Sequence, residues 1–449
     1  MARDVTDTLT NETVELLQAL IRNQCVNDGT RESGQEERSA RLLRDELEGT
    51  GVDLQMFDIL PGRSSLIARW PGTDPAAPAL CLMGHTDVVP VSPEGWRHDP
   101  FGGELIDGEI WGRGAVDMLN LTASMTAVFR HLVATGRRLR GDVVFFAVAD
   151  EEAGGKWGAE PLVESNWDEL RCDYVLTEFG GIPLHTPKGS SILVTTAEKG
   201  IGWRRVTVKG TPGHGSMPWG SDNALVTAAE VVRRISAYAP APQLDELWAA
   251  RVKAMGLPDD LAARLLDPGR VRDALAELPP QTAANAHACC HTTFSPNVVH
   301  GGVKTNVIPD RVAIDVDIRT LPGETGDDVN QHLRNALGDD LFNRVELEVI
   351  HEDPSTASPT DNRLWDALAG SMQAAYPQAR IVPSIVTGGT DARFFRKRGT
   401  VAYGAGLLSA TVDSQEFFRR FHGHNERIDI ESLRLTVQLW LDVLDRLWD

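Results

Sequence analysis

The apolar segment VVFFAVA at residues 143–149 constrains the fold more than any other part of the sequence. A strand that is apolar on both faces lies inside a sheet covered on both sides, as in parallel α/β sheets. A helical segment at 119–135 precedes it, and the strand-like ALCLMGH at 79–85 precedes that helix. Strand, helix and strand in this order predict parallel βαβ units. We therefore expect an α/β fold with a mixed, mostly parallel sheet flanked by helices.

The middle of the chain follows a different pattern. Residues 203–210 (WRRVTVKG) and 311–319 (RVAIDVDIR) alternate between apolar and polar side chains, which indicates strands of a sheet with one wet face. Helical periodicity follows at 221–236 and at 326–337, and residues 240–285 add short amphipathic helices. This part of the chain is typical of an α+β domain.

The pattern of alternating helix and strand returns near the C-terminus, with a helix predicted at 361–375 and a strand at 381–386. The sequence therefore predicts one discontinuous α/β domain, formed by residues 1–200 and 353–449. An α+β domain at residues 201–352 is inserted between the two parts.

The net charge of the chain restricts the binding partners that we expect, and its cysteines indicate the cellular compartment. The 449 residues include 44 basic and 64 acidic side chains, for a formal net charge of −20. This balance argues against nucleic acid and anionic membranes as partners. No apolar run approaches the roughly 18 residues that span a membrane, and we expect no signal peptide at the N-terminus. Five scattered cysteines do not suggest a disulfide framework, so we expect a reducing cytoplasm.

Histidines and carboxylates recur where predicted strands end. His85 and Asp87 close one apolar strand, and in an extended chain residues i and i+2 point the same way, so the Asp87 carboxylate can reach the His85 ring. A carboxylate on one imidazole nitrogen leaves the other nitrogen free for a metal. Alone, however, a surface histidine beside an aspartate is commonplace.

Other acids occupy comparable positions. Asp117 opens a predicted helix, where a carboxylate is usually only a cap. Three adjacent acids at 150–152 follow VVFFAVA, and they repel one another unless solvent or cations compensate. Open α/β sheets place their sites at such strand ends. Carboxylates and imidazoles without thiolates suit zinc, cobalt or manganese, and two such ions polarise a carbonyl and activate water.

Eight motifs then stand in a familiar order: MGHTDVVP, GRGAVDM, ADEEAGG, TEFGG, GTPGHGS, TNVIPD, GGTDARFF and HGHNE. From about residue 80 to 430 this set resembles the co-catalytic zinc peptidase and aminoacylase family, whose members include deacylases, desuccinylases, dipeptidases and carboxypeptidases. The resemblance implies that the α/β domain is catalytic and that the inserted domain is a lid. It also implies two zinc ions, with cobalt or manganese as substitutes.

The resemblance assigns the metal ligands. Asp117 corresponds to the carboxylate that bridges the two ions. His85 and Glu178 correspond to the remaining ligands of one ion, and Glu152 and His422 to those of the other. The implied site thus uses two histidines and three carboxylates.

The resemblance also implies that Glu151 is the general base and that Asp87 is the acid behind the first histidine. His424 competes with His422 for the ligand position, and the family spacing before Asn-Glu selects His422. The family further has a cis peptide after the bridging aspartate, here Asp117–Met118.

Substrate contacts are implied in the lid and near the end of the chain. His214 resembles a lid histidine that reaches the scissile carbonyl oxygen on closure, and Asn306 and Arg319 resemble lid residues that contact substrate. Arg393 resembles a residue that receives a substrate carboxylate. Each has an ordinary alternative: His214 is an exposed loop histidine, Arg319 pairs with aspartates of its own strand, and Arg393 is a helix-surface arginine.

The expected activity is hydrolysis of an amide or peptide bond in a small N-acyl amino acid or short peptide. A deacylase and a dipeptidase or carboxypeptidase both fit. A metal-loaded but inactive binding protein is the alternative from another class, and an intact Glu151 argues against it. Shorter family members commonly form homodimers through the lid, and the extra stretch at 240–285 could extend or block that interface.

Overall fold

Both helices and strands occur throughout the described part of the chain. The computed structural model describes residues 2–449, with the side chains of all of these except 2, 3, 414 and 415. The helices are α1 (Ala2–Arg22), α2 (Glu37–Leu47), α3 (Leu119–Ala134), α4 (Ala159–Ser165), α5 (Trp167–Leu170), α6 (Ala224–Ala237), α7 (Glu246–Ala254), α8 (Asp259–Leu265), α9 (Val271–Ala276), α10 (Pro280–Cys290), α11 (Gly326–Phe342), α12 (Arg363–Ala375), α13 (Ala392–Lys397), α14 (Ser414–Arg420) and α15 (Ile430–Arg446).

The strands, in chain order, are β1 (Asp53–Leu60), β2 (Arg63–Trp70), β3 (Leu80–His85), β4 (Glu104–Ile106), β5 (Glu109–Trp111), β6 (Val143–Val148), β7 (Tyr174–Thr177), β8 (Gly180–Thr186), β9 (Gly189–Glu198), β10 (Gly200–Lys209), β11 (Gly213–His214), β12 (Thr293–Gly301), β13 (Val307–Ile308), β14 (Arg311–Thr320), β15 (Val345–Asp353), β16 (Thr356–Ala357), β17 (Arg380–Val386), β18 (Val401–Gly404) and β19 (Arg427–Asp429).

The larger sheet has ten strands. Eight follow the order β1-β2-β6-β3-β7-β18-β9-β16, and β8 and β17 also pair with β9. The neighbours β6-β3-β7-β18 are parallel, as are β9 and β17, and the remaining pairs are antiparallel. Every residue of β6 is buried, as its apolar sequence predicts. The predicted mixed α/β sheet is confirmed, and its parallel pairs occupy mainly the centre.

Helices cover both faces of this sheet. On one face, α1, α3, α12 and α15 form the largest apolar core, and the apolar stripe of α15 and its C-cap (Leu433, Val437, Trp440, Leu444 and Leu447) is buried there. The Trp440 Nε1 donates to Ser124 Oγ at 2.9 Å, so the indole buries no unpaired donor. On the other face, α4, α5 and α13 pack against β6 and its neighbours. Each large apolar side chain buried this way contributes about 1.5–3 kcal/mol.

A second sheet lies in the middle of the chain. Its four strands follow the order β12-β14-β10-β15, and all its pairs are antiparallel. The alternation predicted for β14 is confirmed, since its apolar residues Val312, Ile314, Val316 and Ile318 are buried. They pack under α6 and α11. The two edge strands, β12 and β15, are largely exposed.

Helices α7–α10 belong to the middle of the chain by sequence but pack on the larger sheet. Trp248 and Val252 of α7 share a core with Ala197 of β9 and Ile385 of β17. The chain position of a segment therefore does not decide which sheet it covers. The division at residues 201 and 352 stays a prediction, although the second sheet begins at β10 and ends with β15.

In the described part of the chain, all five cysteines are buried and free. Burial raises the pKa of Cys25 to about 11 and that of Cys290 to about 12, so these thiols stay protonated. None of the described helices combines the length and the apolar character needed to cross a membrane.

Candidate metal centre

Neighbouring parallel strands carry the predicted ligands to one edge of the larger sheet. His85 is the last residue of β3, Glu151 and Glu152 follow β6, and Glu178 follows β7. The carboxyl ends of parallel strands lie at the same edge, which is where open α/β sheets place their sites. Asp117 stands two residues before α3. The sheet topology thus brings these side chains together.

Asp117 lies between two histidines. Its Oδ1 is 3.3 Å from His85 Nε2, and its Oδ2 is 3.2 Å from His422 Nε2. Glu178 Oε2 lies 3.6 Å from the same nitrogen of His85, and Glu152 Oε2 lies 3.2 Å from the same nitrogen of His422. The two oxygens of Asp117 therefore face two different histidine and carboxylate pairs.

The cluster fits metal ions. Among the described residues, Glu152 Oε1 and Glu178 Oε2 are buried without a hydrogen-bond partner. Such atoms cost about 1–3 kcal/mol each, a cost that a bound cation removes. Ligand atoms of His85, Asp117 and Glu152 lie within 4.8 Å of one another, as do those of His85, Glu151 and Glu178. A donor set of imidazoles and carboxylates suits zinc, cobalt or manganese.

The crowding of carboxylates shifts their protonation. Burial, and then the charge of Glu178, raises the pKa of Glu151 well above its ordinary value. Burial and then the charge of Asp117 raise the pKa of Glu178 well above its ordinary value and also raise the pKa of Glu152. Hydrogen bonds to Asp117 and Glu152 raise the pKa of His422 to about 10. Divalent cations reverse this tendency, because they stabilise the ionised carboxylates and the neutral imidazoles.

Asp87 holds the turn after β6 as well as the first histidine. His85 Nδ1 lies 3.0 Å from the backbone oxygen of Asp87 and 3.6 Å from its carboxylate Oδ1, so the nearer acceptor is the backbone oxygen and not the carboxylate expected from the sequence. The carboxylate accepts hydrogen bonds from the backbone N of Glu151 at 3.3 Å and of Glu152 at 3.1 Å. It also accepts one from Asn27 Nδ2 at 2.8 Å. Asp87 thereby positions the predicted base.

A buried polar network behind Asp87 is absent from the sequence prediction. Asn27 donates to the carboxylates of Asp87 and, at 3.1 Å, Asp150. The fully buried Arg63 donates to Glu36 at 2.5 Å and to Asn27 Oδ1 at 3.1 Å. Burial, and then the charge of Asp87, raises the pKa of Glu36 to about 8. The network joins the loop between α1 and α2 to the metal centre.

Glu426 is a second positioning residue that the sequence reasoning does not identify, although it closes the HGHNE motif. Its Oε1 accepts from the backbone N of Val116 at 2.8 Å and of Asp117 at 3.1 Å, and its Oε2 accepts from Arg113 at 2.7 Å. Burial raises the pKa of Glu426 to about 7, against the effect of Arg113. The Asp117–Met118 peptide in this loop is cis, as the resemblance implies.

The two neighbouring histidines of HGHNE have separate positions. His422 points Nε2 at the cluster while its side chain remains 55% exposed. The ring of His424 lies against Gly95, within 2.4 Å of where a Cβ would stand. The contacts therefore favour His422 as the ligand, in agreement with the spacing.

The predicted lid residues His214 and Asn306 lie side by side on an exposed ribbon formed by β11 and β13. His214 pairs with Val307, and the backbone N of Gly215 donates to the Asn306 oxygen at 2.8 Å. His214 Nδ1 is 2.7 Å from Ser216 Oγ. Within the described residues, no hydrogen bond or ion pair joins this ribbon to the metal-centre cluster.

Both predicted substrate-binding arginines already have protein partners. Arg319 Nε donates to Asp317 at 2.8 Å, which is the pairing within its own strand. Arg393 is buried, its Nε donates to Asp353 at 2.8 Å, and its two Nη atoms donate to backbone oxygens. A substrate carboxylate would have to compete with these aspartates. The role of either arginine as a carboxylate receptor stays a prediction.

Comparison with known proteins gives one consistent result. A model of Peptidase family M20/M25/M40 matches residues 81–446. N-fatty-acyl-amino acid synthase/hydrolase PM20D1 of Xenopus tropicalis is 30% identical over 402 residues, which is 87% of this chain and 76% of that protein. Aminoacylase-1 of Sus scrofa is 28% identical over 412 residues, 90% of this chain and 89% of that protein. The crystal structure of the M20 family metallo-carboxypeptidase Sso-CP2 of Sulfolobus solfataricus shares the fold, with a TM-score of 0.72, 19% identity and coverage of 97% and 99%.

The matched segment contains every candidate metal ligand, from His85 to His422, and also the ribbon that carries His214. Asn27 and Arg63 of the buried network lie before it. The family model matches most of the chain. The relative from Xenopus tropicalis is 30% identical over more than two thirds of both proteins. The chain therefore belongs to Peptidase family M20/M25/M40 and is a metallohydrolase of that family.

Proposed function

We propose that this protein hydrolyses the amide bond of a small N-acyl amino acid, using two zinc ions bound at the candidate metal centre. The observation that carries the proposal is the position of Asp117, whose two oxygens face two separate histidine and carboxylate pairs. The names of the relatives, an N-fatty-acyl-amino acid synthase/hydrolase and an aminoacylase, support the deacylase form. Hydrolysis of short peptides, as a dipeptidase or carboxypeptidase, is the second form.

The proposed ligands divide into two sets that share Asp117. His85 and Glu178 hold one ion together with Asp117, and Glu152 and His422 hold the other. Two ions so held polarise the amide carbonyl and lower the pKa of a water molecule. Cobalt and manganese are the substitutes that the same donors suit.

Glu151 is the proposed general base. It takes a proton from the attacking water and returns it to the leaving amine, so the carboxylate is regenerated in each turnover. Asp87 fixes the backbone of Glu151 through the hydrogen bond of 3.3 Å. The Glu151 carboxylate lies within 4.8 Å of ligand atoms of His85 and Glu178, which supports its role as the base for a metal-bound water.

The proposed lid is the part of the chain at residues 201–352, and residues 1–200 and 353–449 form the catalytic domain. Closure of the lid brings His214 to the oxygen of the scissile carbonyl, where a hydrogen bond stabilises the developing negative charge. Asn306 stands beside His214 and contacts substrate at the same time. Arg319 and Arg393 are the candidates for the substrate carboxylate. A homodimer through the lid would let the partner deliver His214.

We also place the protein in the cytoplasm. The free, buried cysteines support a reducing compartment, in which thiols persist. The acidic surface, with a formal charge of −20, supports small substrates as partners and neither nucleic acid nor membrane.

A hydrolysis panel tests the function. N-acetyl and N-butanoyl amino acids and unblocked dipeptides are offered to the zinc-loaded protein, and zinc content is measured on the same sample. We expect the N-acyl series to be hydrolysed faster, chelation to abolish turnover, and added zinc to restore it. Glu151→Gln with normal zinc content is the inactive control. Two bound equivalents of zinc without hydrolysis of any substrate would favour the metal-loaded binding protein, and faster cleavage of dipeptides would favour the peptidase form.

A further inference from the structure

A small cavity adjoins the candidate metal centre, and we call it the arm pocket. Phe179, which follows Glu178, and Phe421, which precedes His422, both line it. Their rings stack with centroids 5.0 Å apart. Because each phenylalanine is the chain neighbour of a proposed metal ligand, a group in this cavity lies next to the reacting amide.

The backbone is strained where it turns Phe179 into the cavity. Phe179 has φ of 65°, a conformation that bulky residues rarely adopt. Such a residue costs on the order of 1–3 kcal/mol and persists where its surroundings hold it. Here the Thr195 hydroxyl donates to the backbone oxygen of Phe179. Strain held at the rim of a cavity is more typical of a functional wall than of ordinary packing.

Most of the wall is apolar, and the volume is that of part of a substrate. Ile182, Leu193, Ile385, Val386 and Phe418 complete the apolar lining, and the cavity measures about 160 Å³. A cavity of roughly 150 Å³ holds a six-carbon ring, whereas pockets for whole ligands measure about 300–1,000 Å³. The arm pocket therefore has room for about six non-hydrogen atoms.

One cation lines the arm pocket, and within the described chain it has no carboxylate partner. This cation is Arg251 of α7, from the segment that packs on β17. Its Nη2 donates to Asn285 Oδ1, and its Nε is buried without a hydrogen bond. The buried arginines of the described chain, which are less exposed than the half-buried Arg251, all have a carboxylate within 4.0 Å: Arg63, Arg113, Arg204, Arg393 and Arg420.

Besides Arg251, the polar side chains that line the cavity are Asn285, Thr195, Ser384 and Thr387. Asn285 turns its oxygen to Arg251, so its amide NH₂ is left to donate. The hydroxyls of Thr195 and Ser384 already donate to backbone oxygens. A guanidinium and an amide NH₂ at the end of an apolar cavity match a carboxylate, which accepts two parallel hydrogen bonds.

We propose that the arm pocket selects substrates carrying a short apolar arm that ends in a carboxylate. Five to six non-hydrogen atoms fit, as in a succinyl or glutaryl acyl group or the side chain of glutamate. Arg251 and Asn285 bind the carboxylate, and the phenylalanines contact the methylene groups. This specificity rests on the proposed amide hydrolase function, because the arm matters only if the scissile bond lies at the metal centre.

The arm can belong to either side of the scissile amide, and two substrate pairs distinguish the sides. On the acyl side, N-glutaryl-leucine is compared with the same compound carrying a terminal carboxamide. On the amine side, N-acetylglutamate is compared with N-acetylglutamine. Each pair differs by one charge at nearly constant shape. In one of the two pairs we expect kcat/KM for the acid to exceed that for the amide by about 10- to 100-fold, the scale of a charged hydrogen bond.

Variants of the donors test the assignment. Arg251→Met should abolish the preference, because it lowers kcat/KM for the acid much more than kcat/KM for the amide. Asn285→Asp supplies a carboxylate to Arg251 inside the pocket and should abolish the preference without removing the arginine, which guards against a folding defect in Arg251→Met. Arg380→Met is the matched control, since Arg380 contacts the end of the same helix through Lys253 O but does not line the cavity.

A binding measurement separates this proposal from the proposed function. Calorimetry measures the affinity of the zinc-loaded Glu151→Gln protein for both substrate pairs, without interference from turnover. Tighter binding of one acid, lost in Glu151→Gln/Arg251→Met, supports the arm pocket even if the wild type hydrolyses nothing. Hydrolysis of both pairs with no preference for either acid would overturn the arm pocket and leave the hydrolase proposal intact. A preference that survives Arg251→Met would overturn the assignment to Arg251.

Discussion

The metal-centre cluster and the ribbon with His214 are constructed in opposite ways. His85, Asp117 and Glu178 are buried at strand ends and helix starts, and other residues hold their backbones in place. The ribbon consists of two-residue strands, and its surroundings expose large apolar side chains, among them Trp219 at 99% and Val303 at 91%.

This difference teaches that the metal-centre half of the proposed site is preformed and that the ribbon half is not. A buried cluster keeps its geometry whether or not substrate is present, so it can bind metal in the resting protein. An exposed ribbon acquires a fixed position only against another surface, either the catalytic domain or a second chain. Exposed apolar side chains beside His214 favour such a contact, because covering them releases about 25 cal/mol per Å².

The largest effect is expected from Asp117→Ala. Because Asp117 faces both histidines, its loss should remove most of both metal ions and nearly all activity. His85→Ala and His422→Ala should each weaken mainly one site. Elemental analysis of the three purified variants measures this, and two full equivalents of metal in Asp117→Ala would disprove the bridging role.

Glu151→Gln comes next. The amide keeps the shape of the side chain but accepts no proton, so kcat should fall by about 10²- to 10⁴-fold, the usual scale for a general base. Metal content should remain normal, which separates this variant from Asp117→Ala. Turnover close to that of the wild type, with both metals present, would remove Glu151 from the mechanism.

Arg63→Met tests whether the preformed half depends on the network behind it. Breaking a buried ion pair leaves Glu36 uncompensated and typically costs about 3–5 kcal/mol of unfolding free energy. The double variant Arg63→Met/Glu36→Leu should be less destabilised than Arg63→Met alone. Denaturant unfolding of the three proteins measures this, and equal stability of the single variant and the wild type would show that the ion pair is dispensable.

His214→Ala addresses the exposed half. Loss of one hydrogen bond to a developing oxyanion lowers kcat by about 10²- to 10³-fold. Since the side chain is exposed, the free energy of unfolding should change by no more than about 0.5 kcal/mol. Normal metal content and normal melting with a large loss of kcat would separate the two halves of the site, whereas unchanged kcat would exclude His214 from catalysis.

Arg319→Ala should have only a small effect on stability. Its ion pair with Asp317 is partly exposed, and such pairs contribute about 0.2–1 kcal/mol. A fall in kcat/KM for substrates with a free carboxylate, but not for their amides, would show that Arg319 leaves Asp317 to bind substrate. Equal effects on both substrate types would limit it to a structural role.

The sequence predicts those parts of the site whose residues follow regular elements. His85 and Glu178 end apolar strands, so their meeting at one sheet edge follows from the topology of parallel strands. Arg63 and Glu36 escape prediction because they are 27 residues apart, with Arg63 at the start of β2 and Glu36 at the end of the polar loop before α2. The position of Arg251 in the arm pocket cannot be predicted either, because the sequence of an amphipathic helix does not indicate which sheet the helix covers.

The packing of α7–α10 on the larger sheet has a mechanical consequence. The chain passes between the two sheets four times, at residues 199, 238–245, 291–292 and 354–355, where a simple inserted domain would pass twice. Three of these crossings are joined by hydrogen bonds, since Lys199 Nζ donates to the His291 oxygen at 2.7 Å and the Gln243 N donates to the Cys290 oxygen at 2.8 Å. Any rotation of the smaller sheet relative to the larger one must therefore bend all four connecting segments together. This restricts the rotation to axes that pass close to these segments.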